Sequence, residues 1–254
     1  MNTPASSTSD SSFLEPRTLQ RLAKVSTATL TTVLFKRGLS NTFLQGVRPL
    51  NPAAAPMVGI AYTLRYIPAR EDLDHLEVFA DRRHPQRVAV EECPAGHVLV
   101  MDSRGDPSAA SAGNILVTRL LRRGAAGVVT DGGFRDSPEI ASLPFPAYHQ
   151  RPSAPTNLIK HHAVDIGLPI ACGGVAVYPG DVMVGDAEGV VCVPRSMADE
   201  VAATAYEQTL YEDWVAERID AGDGLFGTYP LTDPGRRDAF ESWKAGNSAR
   251  YPLL

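Results

Sequence analysis

Three cysteines in 254 residues (Cys93, Cys172 and Cys192) stand far apart and form no CxxC pair. An odd, widely spaced set excludes a disulfide framework and a cysteine-based zinc site, and fits buried thiols in a reducing cytoplasm. No apolar run approaches the roughly 18 residues that a membrane span needs. Positive charge is in deficit: 24 Lys and Arg against 29 Asp and Glu leave a net charge of −5. That balance argues against a nucleic-acid binder working by phosphate neutralisation. Met1 to Ser12 has no basic region followed by an apolar core, so neither a signal nor a transit peptide is expected there. Its Ser/Thr-rich composition predicts a disordered tail over residues 1–12. There are no internal repeats.

What is present is ordinary for a globular protein: 44% hydrophobic and 21% charged residues, enough to bury a sizeable core. The length allows one large domain or two small ones. Thr18–Leu22 gives one amphipathic turn, and Ser26–Phe35 reads as a helix ending at Gly38. Val58–Leu64 is a strand, bounded by Pro68. His97–Asp102 is a buried strand introduced by the turn Pro94-Ala95-Gly96. Ser111 to Arg123 reads as a helix with Ile115, Leu116, Leu120 and Leu121 as its apolar stripe and Gly124 as its stop. Val128-Val129 is too short and apolar to be anything but a buried strand. Val98 to Val129 is therefore a βαβ unit.

The glycine turn Gly132-Gly133 follows, and after it Arg135-Asp136 at the carboxyl end of a strand, where α/β sheets tend to bind ligands. Arginine can clamp a carboxylate bidentately, and aspartate is a hard oxygen ligand suited to Mg²⁺. A turn with a surface ion pair would look the same. Amides around Gly113 to Leu116, at a helix start, point outward and favour an anion. Helix and arginine loop lie on one edge, so both can converge on one carboxylate.

Other polar clusters have plainer readings. Glu71 to Phe79 holds four acids and His75, with Leu73, Leu76 and Phe79 at helical spacing, which predicts a solvated acidic face neutralised by Arg82, Arg83, His84 and Arg87. Val88 to Glu92 reads as a short helix. Ser137 is expected to cap a helix, and Pro144–Tyr148 to form a strand. His161 and His162 are adjacent and would diverge. Asp102 and Asp106 end a central strand near where Arg135 emerges, or brace turns. From Pro169 to Pro194, short strands joined by glycine turns predict an antiparallel meander or small barrel, with Asp181 and Asp186 bracing turns. Ser196 should cap a long helix to about Ala221, acidic outside through Glu207, Glu212, Asp213 and Glu217. The remainder reads as an aromatic-bearing arm that packs on the domain or on a neighbouring subunit.

Three motifs together, Gly113 to Leu116, Gly124-x-x-Gly127-Val-Val-x-Asp-Gly-x-x-Arg135-Asp136, and Pro179-Gly180-Asp181-x-x-x-Gly185-Asp186-x-x-Gly189-Val-Val, resemble the RraA-like family over roughly Ser26 to Pro194. That family includes metal-dependent (class II) pyruvate aldolases acting on 4-hydroxy-4-methyl-2-oxoglutarate and 4-carboxy-4-hydroxy-2-oxoadipate, and the regulator of ribonuclease activity A. The resemblance implies a swivelling α/β/β sandwich over residues 13–196, with the central βαβ unit, a carboxyl-terminal antiparallel strand region and then the long helix and arm of residues 197–254. It implies a cytoplasmic homotrimer or hexamer with sites between subunits. The implied enzyme is a lyase that releases pyruvate from a small 2-keto acid by retro-aldol cleavage or decarboxylation, with Mg²⁺, Mn²⁺ or another divalent metal. Carried over by residue, the amides of Gly113, Asn114, Ile115 and Leu116 hold the pyruvyl carboxylate, Arg135 binds the same unit and its enolate oxygen, and Asp136 anchors the metal.

One departure stands out. Asn114, 21 residues before Arg135, takes a position that commonly carries an acid in family aldolases, and an amide cannot serve as a general base. Asp102, Asp106 and His149 are the candidates for that role. A non-catalytic regulator, or a dehydratase or hydrolase of sugar-acid breakdown using the same pocket, is the alternative. Arg104 and Arg151 are candidates for a second substrate carboxylate, or plain solvated loop residues.

Overall fold

His97–Asp102 is the central strand that its unbroken apolar run predicts, with Val98 to Met101 fully buried. The computed structural model describes residues 14–253, and the tail expected over residues 1–12 lies outside them. The described chain begins with α1 (Pro16–Leu22), α2 (Thr27–Phe35), the short β1 (Arg48–Pro49) and the long β2 (Met57–Pro68). A single 3-10 turn, Leu76–Ala80, precedes α3 (Pro85–Glu92) and β3 (His97–Asp102). Then come β4 (Ala110–Ala112), α4 (Asn114–Arg122), β5 (Gly127–Thr130), β6 (Gly133–Phe134) and α5 (Ser137–Ala141). After β7 (Ala147–His149), β8 (Arg151–Pro152) and β9 (His161–Ile166), two hairpins follow: β10 (Ile170–Cys172) with β11 (Val175–Val177), and β12 (Val182–Gly185) with β13 (Val190–Val193). Helices α6 (Ala198–Asp220) and α7 (Pro234–Gly246) come last.

Among the described residues the main sheet has the order β1-β7-β5-β3-β2-β12-β13, with β9 on the far half of β2. β2, β3, β5 and β7 run parallel, with Tyr62, Leu99, Val128 and Ala147 in register. The remaining neighbours are antiparallel. The expected βαβ unit is present in β3–α4–β5. Alternation along β3 divides the interior, because successive side chains leave opposite faces of a strand. Leu99 and Met101 pack under α3, α4 and α5 with Val117, Leu120 and Ile140. Val98 and Val100 pack on the other face beneath the β10–β11 hairpin with Cys172, Val175 and Val177. Helices on one face and strands on the other make the expected α/β/β sandwich. Val182, Val184, Val191 and Val193 form a third core under α1, α2 and α6.

Several local expectations are corrected. Helix α4 starts at Asn114, because Ala110–Ala112 is strand β4, paired in a small parallel sheet with β6 and β8. Its buried residues are Val117 and Leu120, whereas Ile115 is exposed. The predicted meander splits: β10–β11 forms a layer of its own, and β12–β13 completes the main sheet. Pro144–Tyr148 is replaced by the strand Ala147–His149, and α3 begins at Pro85. Asp136, not Ser137, is the N-cap of α5, and the Ser137 hydroxyl donates to the Phe134 carbonyl. Met197 precedes α6, with no side-chain cap from Ser196. The acidic outer face of α6 is exposed at Glu207 and Glu217, as expected, and also carries contacts: Glu217 accepts from Trp243 and Arg250, Asp213 from Tyr251, and Glu212 from Thr29. Helix α7 thus packs on α6 of its own chain, with Phe240 against Trp214. Asp181 and Asp186 do brace turns, Asp181 accepting from the Tyr178 amide and Asp186 from Thr27 and Glu188. Among the described residues no helix is long and apolar enough to cross a membrane.

Candidate active site

The small sheet β4-β6-β8 brings the site together. The Arg135 amide donates to the Ala112 carbonyl (3.1 Å), which sets the end of β6 beside the start of α4. Gly113 is the N-cap there. A Cβ on it would stand 2.7 Å from Arg135 Cγ and 2.8 Å from Asp136 Oδ2, so only a hydrogen fits at this crossing. Asp136 is one of two non-glycine residues with positive φ (57°) among those described, the other being Arg104 (61°). A left-handed non-glycine residue stores some backbone strain, a feature that clusters at functional sites. This turn folds the Asp136 carboxylate back over the helix start, where Oδ2 accepts from the Asn114 amide (3.1 Å). Arg135 Nε lies 3.5 Å from Asp136 Oδ1, with the two side chains 48% and 39% exposed.

The helix start is therefore an anion site already engaged by an internal carboxylate, as the unpaired amides and dipole of a helix amino end favour. Of the four amides expected to hold substrate, that of Asn114 serves Asp136 and that of Leu116 donates to the Gly113 carbonyl. Asn114 turns its side chain along the helix, with Oδ1 accepting from Thr118 (3.1 Å). A cleft of about 470 Å³ opens over this junction. Gly113, Ile115, Leu116, Arg135 and Asp136 line it, and so do residues that the sequence did not nominate: Leu76, Phe79, Gln86, Arg87, Thr156 and Asn157.

The three candidate bases are elsewhere. Asp102 accepts from the Arg104 and Ala171 amides and lines a separate cleft with Asp131, Arg104 and Gln150. In that cleft burial lifts the Asp131 carboxyl to about 6, even though the amides of Ser103, Gly105 and Gly173 donate to it. Asp106 braces its own turn through Ser108. His149 is buried and stacked on Phe134, and burial pushes its imidazole down to about 4, so it is neutral at pH 7. The arginines nominated for a second carboxylate are also absent from the lining. Arg104 donates to the Lys160 carbonyl and meets His161, and Arg151 sits exposed in β8. His161 and His162 diverge as expected, His161 toward Ala109 and His162 toward Asp74. The thiols are free and buried, with Cys93 pushed up to about 12 by burial, which excludes a ready nucleophile.

The acidic stretch is not a helix face. Leu76 and Phe79 overhang the cleft, and the Asp74 carboxylate is 2% exposed against His162. Asp72 pairs with Arg70, and Asp81 with Arg83. Arg87, expected to neutralise this stretch, instead lies over the Phe79 ring (4.3 Å) and lines the cleft. One signal was readable: Gln86 stands three and four residues before the buried Ala89 and Val90, a polar residue on a buried stripe.

Among the described residues there is no group of three or more His, Cys, Asp or Glu able to enclose a metal. Asp136 is a single accessible carboxylate beside the cleft. That suits Mg²⁺, which keeps several waters and takes one or two protein carboxylates along with substrate oxygens.

The family model RraA-like, Aldolase/RraA, matches residues 23–192. The chain belongs to the RraA-like family. A 4-hydroxy-4-methyl-2-oxoglutarate aldolase of Thermus thermophilus is 31% identical over 120 residues, covering 47% of this chain and 72% of that protein. A Halalkalibacterium halodurans protein given the same name provisionally is 36% identical over 117 residues, 46% of this chain. Of that relative the chain spans about half the length, 55%. Streptomyces coelicolor RraAS2, described as an unusual member of the RNase ES inhibitor RraA protein family, superposes with a TM-score of 0.69 at 30% identity, covering 79% of this chain and 96% of that one. At the level of the family, the aldolase names point to a lyase.

Proposed function

We propose that this RraA-like chain is a divalent-metal-dependent carbon–carbon lyase that releases pyruvate from a small 2-keto acid. The observation that carries the reading is the crossing of Arg135 and Asp136 over Gly113 at the start of α4. In this reading a substrate carboxylate takes the place of the Asp136 oxygen at the helix amides, and Arg135 clamps the same pyruvyl unit. As the bond between C3 and C4 breaks, its electron pair enters the pyruvyl fragment, and the Arg135 guanidinium stabilises the charge on the enolate oxygen. A divalent cation held by Asp136 would supply Lewis-acid polarisation of the 2-keto oxygen. In retro-aldol cleavage the 4-hydroxyl proton must leave; Asn114 cannot take it, and Asp136 is the one carboxylate lining the cleft among the described residues. Decarboxylation needs no such acceptor, so both reactions belong to the proposal. We place catalysis in residues 13–196, with 197–254 as a buttress, in a homotrimer or hexamer.

The test is pyruvate release from a panel of 4-hydroxy-2-oxo acids and oxaloacetate, with Mg²⁺ and with EDTA, for the wild type and Asp136→Ala. Metal-dependent release that falls by roughly a hundredfold or more in Asp136→Ala is the expected result. A folded, metal-loaded wild type that turns over none of the panel would sink the lyase reading. A ribonuclease regulator, the kind of protein RraAS2 is described as, would then come first.

A further inference from the structure

The far wall of the cleft holds polar groups that the reaction at Arg135 does not use. Gln86 is 2% exposed, and its side-chain N–H donates to the Ser111 carbonyl (2.7 Å), which also accepts from the Tyr66 hydroxyl (3.0 Å). A carbonyl accepts only, so the Gln86 nitrogen must face it, and Oε1 is left as an acceptor without a partner. Asn157 is 5% exposed; its Oδ1 accepts from Thr156 (3.3 Å), while Nδ2 is a donor without a partner. Buried polar atoms are seldom left unpaired, and each one costs free energy until something bonds to it. Both residues line the cleft that contains Arg135, and they come from different elements, α3 and the 3-10 turn Asn157–Ile159. Arg87, half-buried on the same wall, rests its face on Phe79 and pairs with no carboxylate among the described residues.

This wall offers one neutral acceptor and two donors. A carboxylate could take both donors, but it carries no hydrogen and would leave Gln86 Oε1 without a partner. Hydroxyl groups satisfy all three, because each donates one hydrogen and accepts through its oxygen. We propose that Gln86 and Asn157 read hydroxyl groups on the substrate beyond C4, and that the substrate is a 2-keto acid with a neutral polyhydroxy chain, a 2-keto-3-deoxy sugar acid by class. This rests on the lyase reading of the cleft, and it departs from the oxoglutarate derivative that names the relatives. Cleavage gives pyruvate and a hydroxyaldehyde. The electron pair of the C3–C4 bond passes to the pyruvyl enolate, which takes up a proton at C3. The C4 hydroxyl gives up its proton and becomes the aldehyde.

The experiment compares, in Mg²⁺, three six-carbon 4-hydroxy-2-oxo acids that differ only beyond C4: 4,5,6-trihydroxy-2-oxohexanoate, 4-hydroxy-2-oxohexanoate and 4-hydroxy-2-oxoadipate. Where pyruvate is released, kcat/KM is read; where none is released, calorimetric affinity is read for the same three compounds. The wild type should prefer the trihydroxy acid on the order of a hundredfold over 4-hydroxy-2-oxohexanoate, which leaves both buried atoms unpaired, and roughly tenfold over the adipate. Gln86→Met leaves the Ser111 carbonyl bonded to Tyr66, so the fold is kept, and it should cut the first preference roughly tenfold through loss on the trihydroxy acid. Asn157→Leu should do the same from another element. No preference in the wild type, a preference for the adipate, no binding of the trihydroxy acid, or a preference that survives both variants overturns the subsite. Pyruvate release without preference removes the subsite and leaves the lyase reading. A Gln86-dependent affinity in a protein that releases no pyruvate leaves the subsite standing and removes the lyase reading alone.

Discussion

At the scale of the residue, Gly113 is the glycine on which the cleft closes most directly. Its missing Cβ would press on Arg135 Cγ at 2.7 Å and on Asp136 Oδ2 at 2.8 Å. Gly113→Ala should therefore push the arginine and aspartate out of place, at a cost of about 1–3 kcal/mol for an overpacked contact. Denaturant unfolding together with pyruvate affinity reads both effects. An alanine variant with wild-type stability and affinity would show that the crossing is loose. The glycine and the Arg135-Asp136 pair were legible in the sequence, since each is a residue type with few uses in such a turn. Arg87 was not. An acidic stretch, Glu71 to Asp81, precedes it in the chain, and charge balance suggested a pairing that the fold refuses by placing the arginine over Phe79.

Among the elements, those with their own hydrophobic signature were readable, and those that exist through pairing were not. His97–Asp102 carries enough contiguous apolar side chains to be a buried strand anywhere. Ala110–Ala112 is a strand because Phe134 and Gly133 lie alongside it, and nothing in three small residues announces that. The stretch around Leu73, Leu76 and Phe79 has helical spacing, yet Leu73 and Leu76 remain exposed and no core rewards the helix. For α7 the packing is decisive: Phe240 lies 5.4 Å from Trp214 and 5.7 Å from Tyr211. Phe240→Ala should weaken the chain by about 3 kcal/mol and shift the emission of its tryptophans. Unchanged fluorescence and stability would mean that α7 does not rest on α6 in solution.

Across the whole molecule, His149 couples folding to acidity. Its imidazole is buried, with Nδ1 unpaired, and burial holds its pKa at about 4 against the usual value near 6.5. The folded state thus binds this proton less readily than the unfolded chain. The stability it permits is complete above pH 6.5 and is lost as pH falls through 4, by about 3 kcal/mol in all. Unfolding free energies measured from pH 7 to pH 4 should show this decline, and His149→Leu should flatten it. A wild-type curve with no slope attributable to His149 would place that ring in solvent.

The sequence by itself determined the sheet's central strands, the βαβ unit, the α/β/β layering implied by resemblance, and the near half of the cleft at Gly113, Arg135 and Asp136. These are encoded by short-range patterns: apolar runs, glycine turns and a fixed spacing between motif residues. Tertiary structure alone decided the far half. It brought Gln86 and Arg87 from α3 and Asn157 from beyond β8 to one wall, and carried Asp102 and His149 away from it. The physical reason is that a side chain's partners are set by long-range strand pairing and burial, and neither of these is written in the residues beside it.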